Sequence, residues 1–270
     1  MSDSLAARSF ETLQVDVGGD AERVATVTID RPDARNALNG EVRTELKEAV
    51  KAAEDDDGVR VLVLTGNAEG GAFVAGADVT EFGDRDQFEQ RRVSRRPRVY
   101  ETVADATLPV IAAINGHALG GGCELAQACD IRIAKRGGKF GQPEINLGLI
   151  PGGGGTQRLP DLVGEGQALK LILSGELVDA DEAREMGLVE EVHDEGEFEE
   201  RVYDLAGGIA EKSPLALELA KESVRASSRM GRREGLDYES ELFTSLFDTE
   251  DLQEGLDAFF EDREPEFTGE

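Results

Sequence analysis

Short apolar runs set beside amphipathic helical patterns restrict this chain to sheets covered by helices. Val24–Ile29 (VATVTI) alternates toward β and stops at the turn signal Asp30-Arg31-Pro32. Asn39 is suited to cap a helix, and Val42, Leu46, Ala49, Val50 and Ala53 then recur at helical spacing. Asp55-Asp56-Asp57-Gly58 ends that pattern, and residues 59–64 read as a buried strand closed by Thr65-Gly66. The same order returns at Val110–Ile114, in a helix around residues 124–128, and in a strand at residues 131–134. Strands alternating with helices imply an α/β domain. Glycine pairs and runs at Gly18, Gly70, Gly137 and Gly152 mark loops, and no exact repeat is present.

The pattern changes after about residue 195. Ser213-Pro214 is a helix start, with serine at the cap and proline in the first turn. Leu217, Ala220, Lys221 and Val224 follow at helical spacing. Thr249 is placed to cap a last helix holding Leu252, Leu256, Phe259 and Phe260. No strand signal follows Tyr203, which predicts a core over residues 1–200 and a helical region over residues 201–270. Phe243, Phe247, Phe259 and Phe260 are expected in the core or a subunit interface. The last ten residues are mostly charged and are expected to be loose.

Charge narrows the partners. The 270 residues carry 57 acids against 29 Lys and Arg, a formal charge of −28, while 39% are hydrophobic, enough for a full core. A field this negative argues against nucleic acid and anionic membrane as partners. The basic residues are 22 Arg and only 7 Lys, and Trp is absent, a composition that resembles proteins of salt-loving organisms. Molar salt would screen such charge to a range of about 3 Å. No apolar run approaches the roughly 18 residues that mark a membrane span. The opening MSDSLAARSF has no apolar signal-peptide region, so a cytoplasmic protein is expected. Cys123 and Cys129 do not form a disulfide framework, and with no His/Cys cluster no metal site is expected. Against this acidity, Arg91, Arg92, Arg95, Arg96 and Arg98 crowd into one short segment from Asp84 to Tyr100. An ion-paired helix face is the first expectation there, and a positive funnel for an anionic cofactor the second. Pro97 should end or kink that helix.

Three segments suit chemistry. FVAGADV from Phe73 offers small residues that let a ligand approach the backbone. NGHALGGGCEL from Asn115 runs a strand into three glycines and opens a helix, whose orphan N–H groups and positive end favour negative charge. FGQPEI from Phe140 leads into LIPGGGGTQRL. The glycines alone fit an oxyanion or phosphate site, or merely tight turns. The spacings of dinucleotide and P-loop motifs are absent. Composition cannot pick Glu124 and Glu144 from the other acids. His117 is expected to be structural or to line a pocket, His193 to lie at the surface near Asp194 and Glu195, and Cys123 has no His positioned in sequence to activate it.

The chain resembles the enoyl-CoA hydratase/isomerase, or crotonase, family. The resemblance is carried by RPDARNALN from Arg31, FVAGADVTEF from Phe73, INGHALGGGCELAQACD from Ile114, FGQPEINLGLIPGGGGTQRLP from Phe140, and the stretch between Ser174 and Val189. It implies an α/β fold of the ClpP/crotonase type, a spiral of ββα units followed by C-terminal helices that build trimers or dimers of trimers. It implies an acyl-coenzyme A thioester substrate, with coenzyme A as carrier and no redox or metal cofactor. Its residue pattern puts an oxyanion hole at the N–H groups of Ala77 and Gly121. Glu124 would deprotonate water for attack at C3, and Glu144 would protonate C2. Carrier contacts are implied for Arg31, Ala34, Arg35, Ala75, Ala77, Asp78, Val79 and Gly121, and the segment from Thr80 to Tyr100 would shape the acyl pocket. Asp262 and Glu264 stand where many relatives carry lysine, leaving Arg263 alone to meet a phosphate. The implied activity is 2-enoyl-CoA hydration. The alternatives are dehydration of a short 3-hydroxyacyl-CoA, double-bond isomerisation, or a non-catalytic acyl-CoA-binding or RNA-binding relative.

Overall fold

The computed structural model describes residues 4–83 and 85–270. Asp84, which opens the arginine-rich segment, lies outside the described residues. In chain order the first half holds β1 (Leu13–Val17), β2 (Val24–Ile29), α1 (Gly40–Glu54), β3 (Val61–Gly66), β4 (Ala72–Val74), α2 (Gln87–Val93) and α3 (Val99–Ala104). There follow β5 (Val110–Ile114), β6 (His117–Leu119), α4 (Gly121–Ala128), β7 (Ile131–Lys135), β8 (Lys139–Gly141), α5 (Gly155–Val163) and α6 (Glu165–Ser174). The chain continues with β9 (Val178–Asp179), α7 (Ala180–Glu185), β10 (Glu191–His193), α8 (Glu195–Ala210), α9 (Pro214–Ala226), α10 (Arg232–Ser245) and α11 (Glu250–Glu261).

Successive strand pairs divide between two sheets. One sheet runs β1-β2-β3-β5-β7-β10 and the other β4-β6-β8-β9. Each of the pairs β3-β4, β5-β6 and β7-β8 therefore sends its first strand to the large sheet and its second to the small one, before helices lead to the next pair. This is the expected ββα spiral. β3, β5 and β7 are parallel neighbours, as are β4, β6 and β8. Because strand side chains alternate, the large sheet has two apolar faces. Leu62, Leu64, Val110, Ala112 and Ile114 face α1, where Val42, Leu46, Ala49, Val50 and Ala53 are all buried as the spacing predicts. Val61, Val63, Ile111, Ala113 and Ile133 face Phe198, Val202, Ala206 and Ala210 of α8. Burying each large apolar side chain here contributes about 1.5–3 kcal/mol. Asn39 caps α1, its side chain accepting from Val42 N at 2.9 Å.

Four local expectations change. The strand expected from Val59 begins at Val61, because Val59 N donates into the turn to Asp56 O at 2.8 Å. α9 begins at Ser213-Pro214 as read, but Val224 is exposed. α9 is instead tied to the core through polar ends, with Lys221 and Arg225 donating to Asp130 at 2.8 and 2.6 Å. The charged tail is fastened rather than loose. Asp251 is buried and accepts from Thr268 N at 2.8 Å, and Glu250 N donates to Glu270 O at 2.7 Å. The buried Arg60 donates to Ala210 O at 3.3 Å and to Phe267 O at 2.5 Å, joining sheet, α8 and tail. Phe243, Phe247, Phe259 and Phe260 are not core residues, being 62, 60, 80 and 79% exposed. Among the described residues no helix is long and apolar enough to cross a membrane.

Candidate active site

The small sheet gathers the site. β4, β6 and β8 are parallel and adjacent, so their carboxyl ends open on one side, where ligands of α/β sheets bind. β4 delivers Ala75-Gly76-Ala77, β6 delivers Gly120, Gly121 and α4, and β8 delivers Gln142, Pro143 and Glu144. At the β6 exit Gly120 adopts φ 50° and ψ −121°, a conformation closed to side chains, and turns the chain into α4. Gly121 is then the first residue of α4. A Cβ built on it would stand 3.2 Å from Ala77 N, which shows how closely the two amides approach. Neither N–H has an acceptor among the described residues. A parallel bridge between Leu38 and Ala77 fixes the first donor, with Leu38 N donating to Gly76 O and Asp78 N to Leu38 O. Two free N–H groups side by side at a helix start can stabilise an oxyanion.

Glu124 lies one turn into α4 and is 2% exposed. Its Oε1 accepts from Gly153 N at 2.6 Å and from Gly155 N at 2.8 Å, at the start of α5. Burial pushes its carboxyl upward, while those two N–H groups and the charges of Arg98 and Arg158 oppose the shift. Glu144 is half-buried and has no arginine among the groups that shift it. Burial, with a smaller push from Glu124, raises it to about 7. Gln142, fully buried, donates to both Glu144 oxygens at 3.1 Å and accepts from Gln127 Nε2 at 3.0 Å in the orientation that pairs both ends of its amide. Of the two carboxylates Glu124 is the better stabilised anion, because two N–H groups and two arginines face it.

Both carboxylates line a cavity of about 540 Å³ together with Ala75, Ala77, Val79, Gly121 and Tyr100. Phe82, Val93, Leu147, Leu149 and Ile150 give it an apolar wall, and Arg43, Lys47, Arg85, Arg95 and Arg98 make its other charges positive. The arginine cluster therefore splits between the two expectations. Arg95 and Arg98 reach the cavity, Arg96 and Arg98 pair with Glu101, and Arg91 and Arg92 lie exposed in the last turn of α2. Pro97 separates α2 from α3. Arg31, Ala34, Arg35 and Asp78 stand outside the cavity lining. Arg31 is held by Asp78 at 3.1 Å and by Ala37 O at 2.6 Å, and Arg35 is linked to the loop through its carbonyl, which accepts from Ala75 N at 3.1 Å. Arg263 is engaged by Glu254 and Glu261 at 2.6 and 2.8 Å.

His117 accepts from Lys139 N at 3.1 Å, a structural bond between β6 and β8, and His193 pairs with Glu191 at 2.7 Å. Cys123 is buried, and burial pushes its thiol up to about 12, which suits packing rather than attack. Sequence reasoning missed Gln127, Gln142 and Arg158 as site residues, and placed Tyr100 only at the end of the segment expected to shape the acyl pocket. Gln142 and Arg158 both lay inside the segment from Phe140 that was singled out for chemistry, Gln142 two residues before a chosen acid. Tyr100 is buried, and a Cβ on Gly121 would meet its hydroxyl at 2.9 Å.

The family model described as enoyl-CoA hydratase/isomerase matches residues 19–270. The 2,3-dehydroadipyl-CoA hydratase of Escherichia coli (strain K12) is 43% identical over 248 residues, covering 92% of this chain and 96% of its own. The crotonyl-CoA hydratase of Syntrophomonas wolfei is 42% identical, covering 91% and 95%. The crystal structure of an enoyl-CoA hydratase from Bacillus anthracis superposes with a TM-score of 0.90 at 38% identity, covering 96% of this chain and 100% of that one.

Proposed function

The chain belongs to the enoyl-CoA hydratase/isomerase family, and from that premise we propose that it adds water reversibly across the 2,3 double bond of a 2-enoyl-CoA. The thioester oxygen accepts from Ala77 and Gly121 N–H. Glu124 takes a proton from water, whose oxygen bonds to C3 while electrons of the double bond move onto the thioester. Glu144 then donates its proton to C2 as the enolate collapses, giving the 3-hydroxyacyl-CoA. Dehydration runs the same steps backward. The observation that carries this reading is the meeting of two buried or half-buried carboxylates with two unpaired N–H donors on one cavity. An isomerase needs only to move a proton between carbons, whereas a second carboxylate held by Gly153 and Gly155 is suited to orient water.

Coenzyme A lies, in this proposal, along Arg31, Ala34 and Arg35 and the facing loop Ala75 to Val79, with the acyl chain against Phe82 and Leu149. The site belongs to residues 1–200. The division falls within α8, and α9 to α11 with their exposed phenylalanines assemble subunits into a trimer or a dimer of trimers. Two buried free thiols accord with a reducing cytoplasm. The test is crotonyl-CoA hydration by Glu124→Gln and Glu144→Gln. Each should lower kcat by about 10²-fold or more with a smaller effect on KM. Near-normal turnover in either folded variant would remove that residue from the mechanism.

A further inference from the structure

The loop that holds Glu124 consists of four consecutive glycines, Gly152 to Gly155, the most permissive backbone a chain can offer. Nothing in its own side chains can fix the direction of an N–H group. Two arginines from outside the loop supply that restraint. Arg98 Nη1 donates to Gly152 O, and Arg158 Nη1 donates to Gly153 O at 3.0 Å. The first contact is the more telling. Gly152 C=O and Gly153 N–H belong to one planar trans peptide, so they point to opposite sides. Fixing the carbonyl on Arg98 aims the N–H at Glu124 Oε1, 2.6 Å away. The next peptide is held by Arg158. The one after that is held by α5 itself, since Gly154 O accepts from Gln157 N and Arg158 N, both at 2.9 Å. Arg98 is in turn locked by Glu101, which accepts from its Nε at 3.0 Å and Nη2 at 2.5 Å and from its backbone N at 2.8 Å.

We propose that Arg98 and Arg158 are positioning residues that set Glu124 for catalysis through the Gly152 and Gly153 peptide groups. Glu101, Arg98, the peptide and Glu124 form one line of charge-assisted bonds, and each bond in such a chain polarises the next. The proposal rests on Glu124 being the group that activates water. The charged and titratable groups around that carboxylate are Arg98, Tyr100 and Glu101 from the α3 side, Arg158 on α5, Cys123 on α4 and Glu144 beyond β8. Only the two arginines favour its charged form. Loss of either should therefore make Glu124 harder to ionise, as well as freer to wander.

The experiment measures crotonyl-CoA hydration against pH for Arg98→Met, Arg98→Lys, Arg158→Met and, in parallel, Glu124→Gln. In Arg98→Met, kcat should fall about ten- to a hundredfold, the scale of misplacing a catalytic group by about 1 Å. KM should change little, and the acid-side limb of the rate profile should move to higher pH. Arg98→Lys should recover part of the rate, because an ammonium can still reach Gly152 O. Arg158→Met should move the same limb, and it carries the test if Arg98→Met does not fold. An unchanged limb and normal kcat in the folded methionine variants would overturn the proposal, as would a raised KM with kcat intact, which would make Arg98 a substrate contact. If Glu124→Gln itself keeps turnover, the fault lies with the role given to Glu124. If Glu124→Gln is inactive while the methionine variants are normal, only the clamp is wrong.

Discussion

Glu144 sits in a place where function and stability oppose each other. Its carboxyl is raised from 4.5 to about 7, mainly by burial. A carboxyl raised on folding contributes stability that is fully present below 4.5 and lost as pH climbs through about 7, because the folded chain must then hold an unwelcome charge. Glu144→Gln should therefore stabilise the protein at pH 8 and change little at pH 5, where the wild-type group is already neutral. The expected gain at pH 8 is about 1–3 kcal/mol, below the full 1.36 kcal/mol per unit because the group stands open to the cavity. Thermal melts at the two pH values check this; an equal effect at both would contradict it. The rate has a matching signature. Hydration needs the pair to carry one proton, so kcat/KM should decline above about pH 7 as Glu144 ionises. Dehydration uses the same one-proton pair with the roles exchanged, and the overall equilibrium of hydration takes up no proton. The two directions should therefore share one pH profile. None of this was legible in sequence. Glu124 and Glu144 are two of 57 acids, and family resemblance alone picked them out. Arg98 and Tyr100 fell in segments singled out beforehand, but their individual roles were not legible because what they touch lies far along the chain, at Gly152 in one case and beside Gly121 in the other.

Elements were more legible than their surroundings. α1 could be read from its cap and apolar spacing because both signals are local, and β3 and β5 were visible because strands buried on two faces are almost wholly apolar, whereas β7 carries Arg132 and Lys135 and was read from its place after a helix. The short strands of the small sheet were not, since β6 and β8 span three residues each and owe their form to their neighbours. α9 and α11 were placed correctly, but spacing cannot say whether an apolar stripe faces its own core or a second subunit. Hence Phe259 and Phe260 could not be assigned to one or the other. The start of α4 gives the test at this scale. Proline is geometrically at home in the first turn of a helix, so Gly121→Pro removes a donor without forbidding α4. Losing one oxyanion donor raises a barrier by about 2.7–4 kcal/mol, or 10²–10³ in kcat. The added ring also meets Tyr100 Oη and Ala77 N, at 2.9 and 3.2 Å from a built Cβ, so circular dichroism must accompany the assay. A folded, fully active variant would place the oxyanion elsewhere.

At the scale of the whole molecule, a charge of −28 must be reconciled with assembly and with an anionic carrier. The repulsion reaches about 30 Å at 0.01 M salt and about 3 Å at 1 M. Subunit association, activity and melting temperature should accordingly rise with KCl across roughly 0.05–3 M, as followed by sedimentation and hydration assays. Phe259→Ser with Phe260→Ser should lower the assembly state at high salt, where only apolar contact remains to be lost. An oligomer, activity and melting point all unchanged at low salt would defeat the halophilic expectation and leave the catalytic one standing. The Arg60 contacts reach further than stability. Arg60 precedes β3, early in the chain, yet one of its acceptors is Phe267 O, 207 residues later. During synthesis β3 can pack on α1 before Phe267 exists, and Arg60 at the start of β3 can reach Ala210 O first and Phe267 O only later. The bond thus couples the start of β3 to a segment made long after it, so Arg60 gains its full set of acceptors only once the stretch beyond α11 is in place.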